Sequence, residues 1–324
     1  MNILIVGGAG MIGRKLAERL ARDGALGGKA ISGLTLYDAV EAAVPAGAKV
    51  PVKILTGDLP APGETTRLAA DRPDIVFHLA AIVSGEAEQD FDKGYRINLD
   101  GTRALLEAVR AAGHSPRLVF ASSIAVFGAP FPDAIGDEFF STPLTSYGTQ
   151  KAICELLVSD YTRKGFLDGL SLRLPTVCVR PGAPNKAASG FFSNIIREPL
   201  AGKEAVLPVA DGVMHWHASP RAAVEFMRHA ATLDTAAVGP RRALTMPGRA
   251  VTVAEQIAAL SKVAGDKVVA RIRREPDPFV EKIVAGWPRR FDARRALGLG
   301  FRPDASFEEI VRIHIEDELG GRIG

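Results

Sequence analysis

The first two dozen residues constrain this chain most: the strand-like run Asn2–Val6 leads into Gly7, Gly10 and Gly13, and a helical pattern follows from Met11 to Asp23. A strand, a glycine-rich turn and a helix in that order leave little choice of local architecture. Gly7 permits the tight turn, Gly10 lets backbone amides approach a pyrophosphate, and Gly13 allows the helix to pack closely on the strand. The helix N-terminus then offers free N–H groups and the positive end of its dipole to an anion. Gly7, Gly10, Met11, Ile12 and Gly13 are accordingly expected to hold a dinucleotide.

The chain keeps alternating beyond this point. Short β-rich runs at Leu34–Tyr37, Val52–Leu55, Ile75–His78 and Leu118–Ala121 are separated by helical patterns near Thr65–Ala70, Ile97–Ala112 and Tyr147–Lys164. Runs such as ILIV and LVFA are apolar throughout, as strands covered on both faces must be. The prediction is an α/β fold, a Rossmann-type doubly wound parallel sheet. After Leu174 the rhythm changes, with proline at 175, 181, 184, 199, 208 and 220, and the stretch reads as loop-rich and suited to substrate contacts. Helices are predicted over Ser219–Ala231, Thr252–Val263 and Phe307–Glu318. The expected division is a dinucleotide-binding domain over 1–175, joined by part of 213–250, and a smaller C-terminal α/β substrate-binding region over 176–324.

The second strand ends in an acid, Asp38, in LTLYD. A carboxylate there accepts hydrogen bonds from ribose hydroxyls and repels the roughly −2 charge of a 2′-phosphate, which favours NAD over NADP. Farther on, Tyr147 and Lys151 stand four apart in SYGTQKAICELL, on one face of a helix. A tyrosine titrates near 10, and holding it as phenolate at neutral pH takes about 4 kcal/mol. An ammonium about 4 Å away supplies roughly that much at an effective dielectric of 20. A tyrosine and lysine at this spacing are common on surface helices, so the context matters. Here LVFASSIAVFG ends a strand with Ser122 and Ser123, whose hydroxyls can bond a reacting alcohol or carbonyl.

These residues resemble the extended short-chain dehydrogenase/reductases, the family containing nucleotide-sugar epimerases and dehydratases. The matches are GGAGMIG at 7–13, GDL at 57–59, HLAA at 78–81, NLDGT at 98–102, SSIAVFG at 122–128, YGTQK at 147–151 and RLPTVCVRPG at 173–182. Carried over by position, the resemblance implies Ser123, Tyr147 and Lys151 as catalytic residues, with Ser122 beside the cofactor. It implies adenine contacts at Asp58 and Leu59, cofactor-lining residues at Leu79, Ala80, Ala81, Pro175 and Val177, and an orienting residue at Asn98. Dehydratases of this family carry an acidic pair directly after the catalytic hydroxyl residue, whereas Ile124 and Ala125 stand here. Alcohol oxidation or epimerisation is therefore expected in place of dehydration. The wording of 80–108, 145–157 and 173–202, with HW at 215–216 and SPR at 219–221, is similar to sugar-acid dehydrogenases of this family, which implies oxidation of a 2-hydroxyl with NAD.

A carboxylate substrate needs a cation or clustered donors. Ser84, Asn185, Lys186, His215 and Arg221, together with Ser123, are the candidate substrate contacts. His215 and His217 share a strand face across Trp216, but no third ligand accompanies them, so no metal is expected. With 40 basic and 37 acidic residues and a net charge of +3, the chain has no focused basic face, and nucleic acid is not an expected partner. No apolar run reaches the ~18 residues that span a bilayer. Met1 leads straight into a strand and not into a secretory signal, so a cytoplasmic protein without a membrane partner is expected. Cys154 and Cys178 lie in apolar surroundings and are expected to be buried thiols. The family resemblance implies a homodimer through the helices near 97–112 and 147–164. Two further readings stand beside the dehydrogenase: a nucleotide-sugar 4-epimerase with tightly held NAD, and a non-catalytic NAD sensor.

Overall fold

A computed structural model describes residues 1–182 and 189–324. Ile3 to Val6 of the first strand, β1 (Asn2–Val6), are all buried, because β1 pairs in parallel with β2 (Gly33–Asp38) on one side and β4 (Ile75–His78) on the other. The sheet grows outward through β3 (Val52–Thr56) beyond β2, and through β5 (Arg117–Ser123), β6 (Asp168–Leu174) and β7 (Ala243–Thr245) beyond β4. The resulting order, β3-β2-β1-β4-β5-β6-β7, reverses direction between β1 and β4. In such a doubly wound sheet ligands bind beyond the carboxyl ends of the strands at this reversal.

Helices α1 (Met11–Asp23), α2 (Glu64–Ala70), α3 (Gly101–Ala112) and α4 (Ser146–Arg163) connect the strands. Leu105, Leu106 and Val109 of α3 and Cys154 and Val158 of α4 pack with Leu4, Val76, Leu118 and Phe120 of the sheet. Each large side chain so buried contributes about 1.5–3 kcal/mol. Cys154 and Cys178 are both buried and unlinked. The expected helix over 97–112 opens with a π-helical turn, Tyr95–Asp100, before α3 begins.

The chain divides into two units. The first contains Met1–Val126, Pro143–Arg173 and Val224–Thr245, and the second Phe127–Thr142, Leu174–Ala223 and Met246–Gly324. The expected 1–175 body thus lacks 127–142 and 174–175. The backbone of the 127–142 excursion explains its placement, since Ile135–Gly136 pairs in parallel with Phe291–Asp292 of the second unit. From 213–250 the first unit takes 224–245, because β7 extends the sheet alongside β6.

In the second unit, Met214–Ala218 pairs in parallel with Thr176–Val177 and antiparallel with Arg249–Thr252. The stretch read as loop-rich contains a helix, α5 (Gly190–Leu200), with Pro199 in its last turn. Phe192, Ile195, Ile196 and Leu200 bury its apolar face with Leu260 of a helix over Val253–Ala264 and Ile310 of another over Phe307–Leu319. That face outweighs the local proline signal. Among the described residues no helix is long and apolar enough to cross a membrane.

Candidate active site

Gly7 turns the chain out of β1 with φ +97°, and its N–H and that of Gly8 donate to Tyr37 O at 2.7 and 3.0 Å. A Cβ at Gly7 would stand 2.5 Å from Ala80 N, and one at Gly13 2.0 Å from Gly7 O, so the backbone packing itself forbids side chains there. Gly10 differs. Its φ is −67°, and a Cβ would meet only Gly7 O, at 3.3 Å. No side chain caps α1 at this position. The glycine that the fold needs least is therefore the one that keeps the amides at the start of α1 bare, where a pyrophosphate would lie.

Asp38 closes β2 with its carboxylate turned toward this loop. Oδ2 accepts from Ala9 N at 3.0 Å and Oδ1 from Ala39 N at 2.7 Å. Each oxygen keeps a lone pair for a ribose hydroxyl. Asp58 is exposed and accepts from Arg96 Nη1 at 2.6 Å, while Leu59 beside it is buried. The N–H groups of Leu79 and Ala80 both donate to Val6 O, at 2.7 and 2.9 Å, which seats Leu79–Ala81 against the end of β1. A bare helix N-terminus, an acid at the end of β2 and a lining segment along β4 together fit a dinucleotide.

The π-helical turn carries Asn98, which is buried. Its Oδ1 accepts from Ile82 N at 2.9 Å, and its Nδ2 donates to Ile82 O at 3.2 Å and to Gln150 Oε1 at 2.8 Å. The extra residue in such a turn redirects a side chain, a common device at functional sites. His78 ends β4 fully buried, and burial, reinforced by the nearby Lys151 charge, pushes its imidazole down to about 3. The Thr102 hydroxyl donates to Asn98 O at 2.6 Å, so His78 Nε2, 2.7 Å from Thr102 Oγ1, is the donor of that pair. A neutral ring held in this way is a structural link and not a proton acceptor for substrate.

Thr145 caps α4, its hydroxyl accepting from Gly148 N at 3.1 Å. A Cβ at Gly148 would lie 2.1 Å from Ala125 O, so the start of α4 rides directly on the chain leaving β5. Tyr147 is half-buried at this junction. One turn later Lys151 is buried, with Nζ donating to Ala121 O at 2.8 Å and lying 4.6 Å from the Phe120 ring centre and 5.6 Å from that of Tyr147. Burial pushes its ammonium down to about 8, while Cys154 and Glu155 act in the opposite direction. It therefore stays charged at neutral pH. Ser123 Oγ accepts from Ala125 N at 3.1 Å, which leaves its O–H to donate elsewhere. Alternation along the strand turns Ser122 to the other face, where its hydroxyl donates to the buried Glu155 at 2.5 Å. Ser123, Tyr147 and Lys151 thus lie along one junction between β5 and α4. Sequence reasoning missed Gln150 and Glu155, although both are in the YGTQKAICELL segment. Ser84 opens a helical turn, Ser84–Gln89, shortly after Ala81.

The remaining expected contacts belong to the second unit. Pro175 and Val177 are buried, and Val177 pairs with Ala218. His215 is buried and stacks on Phe192 with ring centres 5.1 Å apart. Its Nδ1 donates to Pro288 O at 2.9 Å, and its Nε2 accepts from Thr176 Oγ1 at 2.7 Å, so both ring nitrogens are engaged inside the protein. Arg221 is exposed and its guanidinium already donates to Asp317 and Glu316. Asn185 and Lys186 lie outside the described residues.

Residues 3–231 match the family model described as NAD dependent epimerase/dehydratase family. Two curated relatives are each named D-erythronate dehydrogenase. The protein from Cupriavidus necator is 49% identical over 322 residues, 98% of either chain, and the one from Haemophilus influenzae 41% identical over 319 residues, 98% of this chain and 100% of its own. A crystal structure from Agrobacterium tumefaciens, described as a nucleoside-diphosphate-sugar epimerase, is 62% identical with a TM-score of 0.97, covering 100% of this chain and 96% of that one.

Proposed function

The chain belongs to the NAD dependent epimerase/dehydratase family, and from that premise we propose that it oxidises the 2-hydroxyl of a short sugar acid, D-erythronate, to the 2-keto acid. The observation that carries this reading is the end-to-end similarity to two relatives named D-erythronate dehydrogenase. NAD, when bound, supplies the hydride acceptor. Gly10 and the first amides of α1 hold its pyrophosphate, and Asp38 its adenosine ribose. Tyr147, held as a phenolate by the Lys151 ammonium, takes the proton of the 2-hydroxyl and becomes the neutral phenol as the carbonyl forms. Ser123 donates its O–H to the substrate oxygen, its own Oγ being oriented by Ala125 N. The Ser84 hydroxyl is assigned to the substrate carboxylate.

One observation favours a second reading: the 62% identical structure carries the name of a nucleoside-diphosphate-sugar epimerase. An epimerase returns its reducing equivalents to the substrate and releases no net NADH. A non-catalytic sensor has no use for an aligned serine, tyrosine and lysine. D-erythronate, its stereoisomers and UDP-sugars, tested side by side with NAD or NADP while NADH or NADPH is followed, separate the readings. Reduced cofactor is expected with D-erythronate and NAD, with none from UDP-sugars. Asp38→Ala should narrow the preference for NAD by about tenfold or more, since the carboxylate that repels a 2′-phosphate is gone. UDP-sugar epimerisation with inert aldonates overturns the assignment, and a wild type preferring NADP overturns the role of Asp38.

The protein is further proposed to act in the cytoplasm as a homodimer. Ile153, Leu156 and Leu157 leave apolar surface on α4, with Leu156 72% exposed. A second copy placed there would cover it. Light scattering should give twice the chain mass, and a monomer at micromolar concentration would contradict the pairing.

A further inference from the structure

Behind the junction of β5 and α4 sits a buried ion pair that the reaction as described does not use. Glu155, 4% exposed, lies one turn beyond Lys151 on α4. Its Oε1 accepts from Ser122 Oγ at 2.5 Å and from Arg173 Nε at 3.0 Å, and its Oε2 from Arg173 Nη2 at 2.7 Å. Arg173 comes from the far end of β6, where it is 13% exposed and in register with Thr245 of β7. One carboxylate therefore ties α4 to the ends of two neighbouring strands. The tie falls at a functional position. Lys151 holds Ala121 O, Glu155 holds Ser122 Oγ, and the next residue is Ser123. Two successive turns of α4 thus clamp two successive residues of β5, and Ser123 leaves the clamp with its hydroxyl on the opposite face.

A buried charge pair is a poor choice for stability alone. Well-packed apolar residues of similar volume serve a core as well or better. Its placement one helical turn from a buried ammonium suggests another use. Two groups act on Lys151 in favour of the ammonium and against burial, Cys154 and Glu155; burial pushes the Cys154 thiol up, which leaves Glu155 as the charged one at neutral pH. His78, the other titratable ring nearby, is neutral.

We propose that Glu155 and Arg173 form a positioning pair for the proton-transfer site, the carboxylate clamping the end of β5 to α4 and β6 and supplying negative charge one helical turn from Lys151. The proposal rests on the reading of Tyr147 and Lys151 as the proton-transfer residues, and its test reads Lys151 directly. NMR titration of protein labelled on its lysine side chains, with the Lys151 signal identified by its loss in Lys151→Met, follows the ammonium without substrate or cofactor. In Glu155→Gln the Lys151 midpoint should move down by about one unit or more. Turnover should fall about tenfold, with a deficit that deepens as pH rises from 6 to 8 and a KM for NAD close to that of the wild type.

Glu155→Gln leaves a buried guanidinium without its carboxylate, which threatens folding. The double variant Glu155→Met with Arg173→Met removes both charges and keeps the volume. It should fold, and its Lys151 midpoint should also move down, because the favourable field came from the carboxylate. Ser122→Ala, which cuts one hydrogen bond and leaves the ion pair intact, should leave that midpoint near the wild-type value. An unchanged Lys151 titration in the charge-removing variants overturns the proposal, as does failure of both variants to fold, which would make the pair a requirement of the fold. A wild type inactive on sugar acids but with these titration shifts would overturn the substrate assignment alone.

Discussion

Replacing Tyr147 with phenylalanine is expected to lower kcat by about 10²-fold or more while leaving the fold and NAD affinity intact. The structure explains why this variant is a clean test. Tyr147 lies at the start of α4, where Thr145 supplies the cap and Gly148 the close approach to Ala125 O, and neither contact involves the phenol. The ring, 5.6 Å from Lys151 Nζ, keeps its packing in the variant, so the lysine is not released to a new position. What disappears is the oxygen proposed to accept the substrate proton. A 10²-fold loss corresponds to about 2.7 kcal/mol of transition-state stabilisation. Steady-state assays on D-erythronate, with cofactor affinity measured separately by fluorescence titration, provide the check. Turnover within tenfold of wild type would assign the proton transfer to another group.

Much of the machinery around Tyr147 can be read without a structure because it depends on short-range rules. The strand at Asn2–Val6 and the helix at Met11–Asp23 have the bounds expected from apolar pattern and glycine spacing, since both signals lie within one turn of the residues they govern. The same holds for Ile75–His78. Elements whose identity depends on distant partners were less legible. Three residues at Ala243–Thr245 form a strand because β6 offers an open edge, and no local pattern announces that. The excursion at 127–142 belongs with the second unit through a two-residue pairing with Phe291–Asp292, a separation of more than 150 residues in the chain. The helix at Gly190–Leu200 was obscured by surrounding prolines, although FFSNII already carried its apolar face.

Individual side chains divide in the same way. Sequence identifies polar residues in plausible loops, but it does not say which have spent their hydrogen-bonding capacity inside the protein. His215 and Arg221 were both candidate substrate contacts. Burial with two internal bonds in the first case, and two carboxylate partners in the second, became visible only with the fold. Conversely, Glu155 looked like an ordinary helix acid. Its significance comes from Arg173, eighteen residues away and on another element.

Lys151→Met should separate stability from function. The unfolded chain binds the lysine proton with the ordinary affinity of 10.5, whereas burial lowers the folded value to about 8. Below about pH 8 the folded protein therefore carries a buried ammonium at a cost of about 3 kcal/mol, from ~1.36 kcal/mol for each unit. Because the folded value is the lower one, the unfolded state holds more protons between about 8 and 10.5, and stability from this group rises with pH across that window. Methionine removes the penalty and loses the hydrogen bond to Ala121 O, worth about 1 kcal/mol, so at pH 7 the variant should be at least as stable as wild type. Catalysis should move the other way, with kcat down about 10²-fold or more, since the proposed phenolate of Tyr147 loses the ammonium that lies 5.6 Å from its ring centre. Thermal melts of both proteins from pH 7 to 10 give a difference curve that isolates Lys151. The advantage of the methionine variant should shrink as pH rises, because the wild-type lysine becomes neutral in its buried site. A pH-independent gap would show that this lysine is not held charged against burial. Near-normal turnover would remove it from the proton-transfer site.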